Sequence, residues 1–321
     1  MKKADPKNKV ESAAEPSCRV HEIEVADLQD YHKPREVFAA VADLFSKSFS
    51  NKDFSPIAKV FPIVGRLYEG RFPGYRACNT EYHDYCHVLE VFSACARLLD
   101  GAALSKAPFS ATDAADVLVA ALLHDAGYIQ ESADREGTGA KHTRAHVARS
   151  ADFVRVHAAE LGLATGRAAR IGRLILGTEL GSRWEEIEFE DEDERLAAAV
   201  LAAADLLGQM ADRAYLEKLL FLYYEFREAG IEGYATAFDI LKKTAGFYGL
   251  VKARLDGPLG AASAFARPHF AARLGVDRDL YREAIARQMA YLDSILADDK
   301  ANFRSKLKRL DIEEIERRHA S

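Results

Sequence analysis

An aspartate stands inside one of the most apolar stretches of the chain, and that placement limits what the chain can fold into. Asp205 interrupts Leu196-Ala197-Ala198-Ala199-Val200-Leu201-Ala202-Ala203-Ala204-Asp205-Leu206-Leu207. An ionised carboxylate among alanines and leucines is costly to bury unless a cation receives it. A second apolar run, Val117 to Leu123, closes on the adjacent pair His124–Asp125 and is followed by Ala126-Gly127. Two further histidines, His83 and His87, lie in Glu81-Tyr82-His83-Asp84-Tyr85-Cys86-His87. In a helix that spacing puts both imidazoles on one face, one turn apart. Helices that bury these runs therefore have to gather imidazoles and carboxylates in one interior. His87, His124, Asp125 and Asp205 read as ligands of a divalent ion, with coordination positions left for water and substrate. Imidazole and carboxylate without a thiolate set suit Zn, Mn, Fe, Mg or Ni, and leave open whether one ion is held or two.

The rest of the patterning is helical. From about Pro34 the apolar positions recur at helical intervals, as in Val37, Val41, Leu44, Phe45 and Phe49, and stretches of period two are scarce. Helices are expected at about 35–49, 56–67, 82–99, 111–123, 141–161, 165–176, 194–210, 213–229, 235–255 and 278–297. Asp100-Gly101, Gly162 and Asp256-Gly257-Pro258 carry the turn chemistry that ends them. The fold class is thus all-α, a bundle of about ten helices. Three segments are expected: a flexible amino-terminal one over 1–34, a catalytic body over 35–300, and a charged helical tail over 301–321. The acidic run Glu185 to Glu194 reads as a solvated loop whose last acids favour the positive end of the next helix.

Bulk properties narrow the partners. The chain has 321 residues, 49% hydrophobic and 29% charged, with a formal net charge of −6. That balance gives no electrostatic footprint for a nucleic-acid polymer, and no apolar run approaches the length of a membrane span. Cys18, Cys78, Cys86 and Cys95 show no Cys-x-x-Cys spacing, so reduced thiols and a cytoplasmic setting are expected. Cys86, beside His87, would point about 100° away from it on a helix. Oligomeric state is left open.

The order of these residues, a distant His, an adjacent His-Asp and a later Asp, resembles the HD superfamily of metal-dependent phosphohydrolases. Tyr82-His83-Asp84-Tyr85-Cys86-His87 is similar to the Tyr-His-Asn-x-x-His opening of the cyclic-nucleotide phosphodiesterases. Ile171 to Leu180 resembles a segment of that family ending in Ala-Thr-Asp-Met. Ala204-Asp205-Leu206 resembles its Ala-Asp-Leu, and Glu225-Phe226 its Glu-Phe-Phe. One departure is plain: the phosphodiesterase signature continues His-Asp-x-x-His, whereas the fourth residue after His124 is Tyr128. The resemblance implies an HD-type bundle that hydrolyses a phosphomonoester or phosphodiester, with a nucleotide as the expected substrate. It also implies that His83 protonates the leaving oxygen while a metal-activated water attacks, Asp125 serving both metal and catalysis.

The remaining candidates follow from the same comparison or from spacing. His146-Val147-Ala148-Arg149-Ser150 resembles the segment after the His-Asp pair in HD proteins with two metals. There His142 and His146 would complete a second ion and Asp125 would bridge. Tyr128 and Glu179 fall where that comparison puts groups near the site, and Gln209 lies one turn after Asp205. Lys141, Arg144 and Arg149 surround the second histidine pair and are candidate phosphate contacts. Gln288-Met289-Ala290-Tyr291 has the spacing of the phosphodiesterases' purine-binding Gln-x-x-Phe, so Gln288 and Tyr291 would read a base edge and stack on its face. Two other functions use the same residues: a regulatory HD protein that binds nucleotide without turnover, and a di-iron oxygenase whose six ligands would be His87, His124, Asp125, His142, His146 and Asp205.

Overall fold

Apolar residues at helical spacing produce helices throughout. The computed structural model describes residues 23–49, 54–297 and 302–319. Most of the expected flexible segment 1–34, with Cys18, lies outside the described residues. The helices run α1 Pro34–Ser48, α2 Ser55–Tyr68, α3 Tyr85–Leu104, α4 Ala111–Leu123, α5 His146–Val156, α6 Ala158–Leu161, α7 Thr165–Leu176 and α8 Glu192–Ala211. They continue as α9 Tyr215–Glu228, α10 Ala237–Asp256, α11 Gly260–Ser263, α12 Ala266–Leu274, α13 Leu280–Leu296, α14 Phe303–Lys306 and α15 Ile312–Arg318. The fold is an all-α multi-helix bundle with more helices than the ten expected. Among the described residues no strand forms, only two isolated bridges, Glu69 with Ala77 and Tyr75 with Glu131.

α3, α4 and α8 form the centre. α3 packs on α8, α1, α4 and α12, and α4 also meets α2, α7 and α8. Every residue of α4 from Ala114 to Leu123 is buried, as is Ala197–Ala204 of α8. A helix apolar on all sides has to be enclosed by others. Each large side chain buried this way contributes about 1.5–3 kcal/mol, so the stretches that carry the site are also the ones that organise the core.

Several boundaries differ from expectation for physical reasons. α3 starts at Tyr85 because the Asp84 carboxylate caps it, accepting from the His87 backbone N–H at 2.9 Å. His83 therefore precedes the helix rather than sharing its face with His87. Gly101 does not end α3, which runs on to Leu104. A Cβ at Gly101 would lie 1.8 Å from the Phe265 carbonyl oxygen, so the glycine permits a close approach. The expected helix over 141–161 is broken. Residues Gly139–His142 form a 3₁₀ turn, α5 begins only at His146, and the left-handed Gly162 (φ 71°) closes α6. The acidic run is not wholly solvated either. Glu194 is buried and accepts from Arg173 Nε and Nη2 at 2.6 and 2.9 Å, while Asp191 caps α8. In the carboxy-terminal tail, Phe303, Ile312 and Ile315 are buried and α15 packs on α9.

One buried polar cluster ties the periphery to the core. Asp100, on α3 and 1% exposed, accepts from His269 Nδ1 at 2.7 Å and from Arg273 Nη2 at 2.6 Å, both on α12, and from the Ser48 hydroxyl at the end of α1. Burial raises the Asp100 carboxyl, but these bonds outweigh it and hold the group below the usual carboxylate range. Its contribution is present above the unfolded-state pKa and is lost as pH falls through the folded one. Asp100→Ala leaves His269 and Arg273 without their partner, and is expected to cost about 3–5 kcal/mol of stability. Denaturant unfolding at neutral pH measures this, and a loss below about 1 kcal/mol would contradict the role given to the cluster.

Candidate metal centre

Three elements of the central core deliver the cluster. His87 sits in the first turn of α3, His124 and Asp125 directly follow α4, and Asp205 lies well inside α8. The chain turns sharply after Asp125 through a 3₁₀ segment, Ala126–Tyr128. Gly127 is required there: a Cβ would stand 2.1 Å from the His146 carbonyl oxygen, and its N–H donates to Ser150 Oγ at 2.8 Å. That contact brings the start of α5, and with it His146, against Asp125.

The donor atoms converge. His87 Nε2 and His124 Nε2 are 3.3 Å apart, and Asp125 Oδ2 lies 3.4 and 3.3 Å from them. Asp205 Oδ1 is 3.3 Å from His87 Nε2 and 3.8 Å from His124 Nε2. His124 Nδ1 donates to the Ala121 carbonyl at 2.8 Å, which leaves Nε2 as the atom facing the cluster. His87, His124 and Asp125 are all buried. Burial pushes the His87 imidazole down, but the Asp125 and Asp205 carboxylates beside it outweigh that and raise it well above its ordinary value. Asp125 is the converse case: burial raises it, and His124 and His87 more than offset that and hold it well below the carboxylate range.

Asp125 Oδ2 is buried with no hydrogen-bond partner. Ligands bound at about 2.0–2.2 Å to one ion stand about 3–3.5 Å from each other. The His87, His124 and Asp125 donors fit that spacing, with Asp205 Oδ1 slightly farther from His124 at 3.8 Å, and an orphaned carboxylate oxygen among them is the kind of atom that a divalent cation satisfies. His146 stands on the other side of Asp125, its Nε2 3.6 Å from Oδ1. Its Nδ1 donates to the Thr143 carbonyl at 2.7 Å.

His83 reaches the cluster from the loop before α3. Its Nδ1 meets Glu225 Oε2 at 2.7 Å, and Glu225 Oε1 accepts the backbone N–H of Glu81 and Tyr82 at 3.0 and 2.8 Å. Tyr128 lies between two imidazoles, stacked on His83 at 4.3 Å and on His146 at 4.5 Å. The residue standing where the phosphodiesterase pattern has histidine thus acts as a flat spacer, its hydroxyl 3.4 Å from His83 Nε2. Gln209 Oε1 accepts from the Tyr82 hydroxyl at 2.7 Å, and the Glu179 carboxylate accepts from Gly181 N at 2.9 Å. Tyr82, His83, Tyr128, His146, Glu179 and Gln209 line a cavity of about 280 Å³, with Glu225 behind His83, and its far wall comes from α9, α10 and the loop between them.

Other candidates lie elsewhere. His142 Nε2 is 3.5 Å from Asp134 Oδ2 and does not line the cavity, because the chain between it and His146 is not one helix. The six-donor set of a di-iron oxygenase therefore does not assemble. Lys141 is held by Asp134 and the Glu136 carbonyl, Arg144 by the Gly230 carbonyl, and Arg149 by the carbonyls of Gly127 and Ile129. Gln288 donates to the carbonyls of Asp212 and Arg213 at 2.6 and 3.0 Å, satisfying groups at the end of α8, and the Tyr291 hydroxyl bonds the Lys306 carbonyl. Neither lines the cavity. Cys86 lies beside His32 and the Tyr31 carbonyl rather than the cluster. Two residues that the sequence reading did not assign stand out: Glu225, quoted there only as part of a motif, and Lys243 on α10, which lines the cavity with its ammonium 4.3 Å from the Tyr234 ring centroid. The helical pattern of α10 marked its faces, but nothing in it marked which one would meet α9.

A family model described as Npun_R2479-like matches residues 131–254. That stretch includes His146, Asp205, Glu225 and Lys243 and stops short of His83, His87, His124 and Asp125. Comparison with curated proteins and with solved structures finds no match.

Proposed function

We propose that this protein is a metal-dependent phosphohydrolase of the HD type, acting on a small phosphoester. The observation that carries the reading is the buried, partnerless Asp125 Oδ2 set among His87 Nε2, His124 Nε2 and Asp205 Oδ1 at the base of a cavity. When bound, a divalent ion supplies Lewis acidity and an activated water. His87, His124, Asp125 and Asp205 would hold it, and His146 with the second oxygen of Asp125 forms the start of another position. His83 supplies the proton for the leaving oxygen, and Glu225 keeps its ring turned so that Nε2 faces the cavity. The enclosing wall excludes water from the reacting phosphate.

A base-reading pair at Gln288 and Tyr291 does not belong to this proposal, since both serve the helix ends around them. No helix of the described chain is long and apolar enough to cross a membrane. A cytoplasmic setting with reduced thiols is part of the proposal; among the described residues Cys78, Cys86 and Cys95 are free.

The test pairs two measurements on purified protein: metal content, and cleavage of bis-p-nitrophenyl phosphate and p-nitrophenyl phosphate. The expected result is at least one divalent ion per chain and a phosphoester cleavage that a chelator removes and added metal restores. Activity undiminished in metal-free protein, or a loaded protein inert toward both esters, would refute the proposal. Oxygen uptake by an iron-loaded sample would favour the oxygenase instead.

A further inference from the structure

The cavity has two unlike halves. Its base carries the histidines and carboxylates already described. The opposite wall is built by Leu219, Leu222 and Phe226 of α9, Ile231 of the following loop, and Ile240 and Phe247 of α10. Among the described residues most hydrogen-bonding groups around it are engaged, the exceptions being Gln209 Nε2 and the Tyr215 and Tyr234 hydroxyls. The hydroxyls of the three lining threonines turn back onto their own backbone: Thr143 to the Ala140 carbonyl at 2.6 Å, Thr178 to Ile175 at 2.8 Å and Thr244 to Ile240 at 2.8 Å. Gln209, the one lining carboxamide, has its oxygen taken by the Tyr82 hydroxyl. Lys243 is the one charged residue of the α9–α10 wall. It is exposed, and its ammonium lies over the Tyr234 ring with no carboxylate paired to it among the described residues.

We infer that the substrate's alcohol portion is apolar: an alkyl, prenyl or aryl phosphoester rather than a nucleotide. This rests on the phosphohydrolase reading for the orientation of the phosphate, which the base of the cavity would receive. Specificity for a sugar or a nucleobase needs side-chain donors and acceptors that are left unpaired when the wrong ligand enters. A wall of aliphatic and aromatic side chains instead rewards each methylene removed from water. Lys243, stacked on Tyr234, marks the rim of the apolar wall and leaves its interior uncharged.

Calorimetric binding of ethyl-, butyl- and hexylphosphonate to metal-loaded protein tests this without requiring turnover. The dissociation constant is expected to fall roughly three- to fourfold per added methylene. In Leu222→Asp and Phe247→Asp, both partly buried wall positions, the dependence on length should flatten. The phosphonate analogue of adenosine monophosphate should bind more weakly than hexylphosphonate. Affinity independent of length, no binding in the series, or tighter binding of the nucleotide analogue would each overturn the inference. So would a gain from a terminal carboxylate on the alkyl chain that Lys243→Met abolishes, because the wall would then be reading a second anion. If affinity rises with length and no ester is hydrolysed, the apolar specificity stands and the catalytic reading falls.

Discussion

Replacing Asp125 by alanine is expected to abolish both activity and the stabilisation that added metal confers. In the wild type, an ion present at about a hundred times its dissociation constant should raise stability by about 2.7 kcal/mol. The variant should show no such gain, because both proposed ion positions draw on this one carboxylate. Without metal the comparison runs differently. In the metal-free protein Asp125 lies against the buried His87 and His124 imidazoles, so the variant removes their counter-charge and should cost about 3–5 kcal/mol before any ion is added. Thermal melts with and without metal read both effects. A variant that still gained stability from the ion would show that the ligands are other residues.

The second large effect concerns His83. His83→Ala should keep metal at wild-type stoichiometry and lose about 10²–10⁴-fold in rate toward alkyl phosphoesters, whose leaving group needs a proton. Toward p-nitrophenyl esters, which depart as a stabilised anion, the loss should shrink markedly. Glu225→Gln should follow the same pattern at about 10–100-fold, since Glu225 orients the imidazole at 2.7 Å without facing the phosphate. Rate constants for the two classes of leaving group decide the matter. Equal losses for both would take the proton-donating role from His83.

The sequence carried the all-α bundle well, because it depends on period alone: α4 and α7 fall on the expected residues. It also placed His87, His124, Asp125 and Asp205 together, since polar groups embedded in apolar helices have few places to go except one another. The failures share a cause. His142 and His146 have the same spacing as His83 and His87, yet neither pair lies within one helix. Asp84 caps the first pair's helix after His83 has passed, and the second is divided by a 3₁₀ turn. Spacing predicts a shared face only where the backbone is continuous. His83 arrives nonetheless, because Glu225 of α9 reaches across to hold it, and that is a long-range contact. Gln288 and Tyr291 failed for the opposite reason. Their local spacing matched, but packing assigned their polar atoms to unpaired carbonyls at the ends of α8 and α14, a demand invisible along the sequence.

The ligand atoms of the proposed ion come from α3, the end of α4 and α8, which meet only when the centre of the bundle has docked. No two neighbouring helices offer the full set, so a partly assembled chain would grip the metal weakly. An ion bound last acts on the lifetime of the finished fold rather than on the rate of reaching it. Metal would then slow unfolding and leave refolding nearly unchanged. Such a protein could remain assembled through a brief loss of its ion and still be cleared quickly once deprived for long, which couples its persistence in the cell to the metal supply.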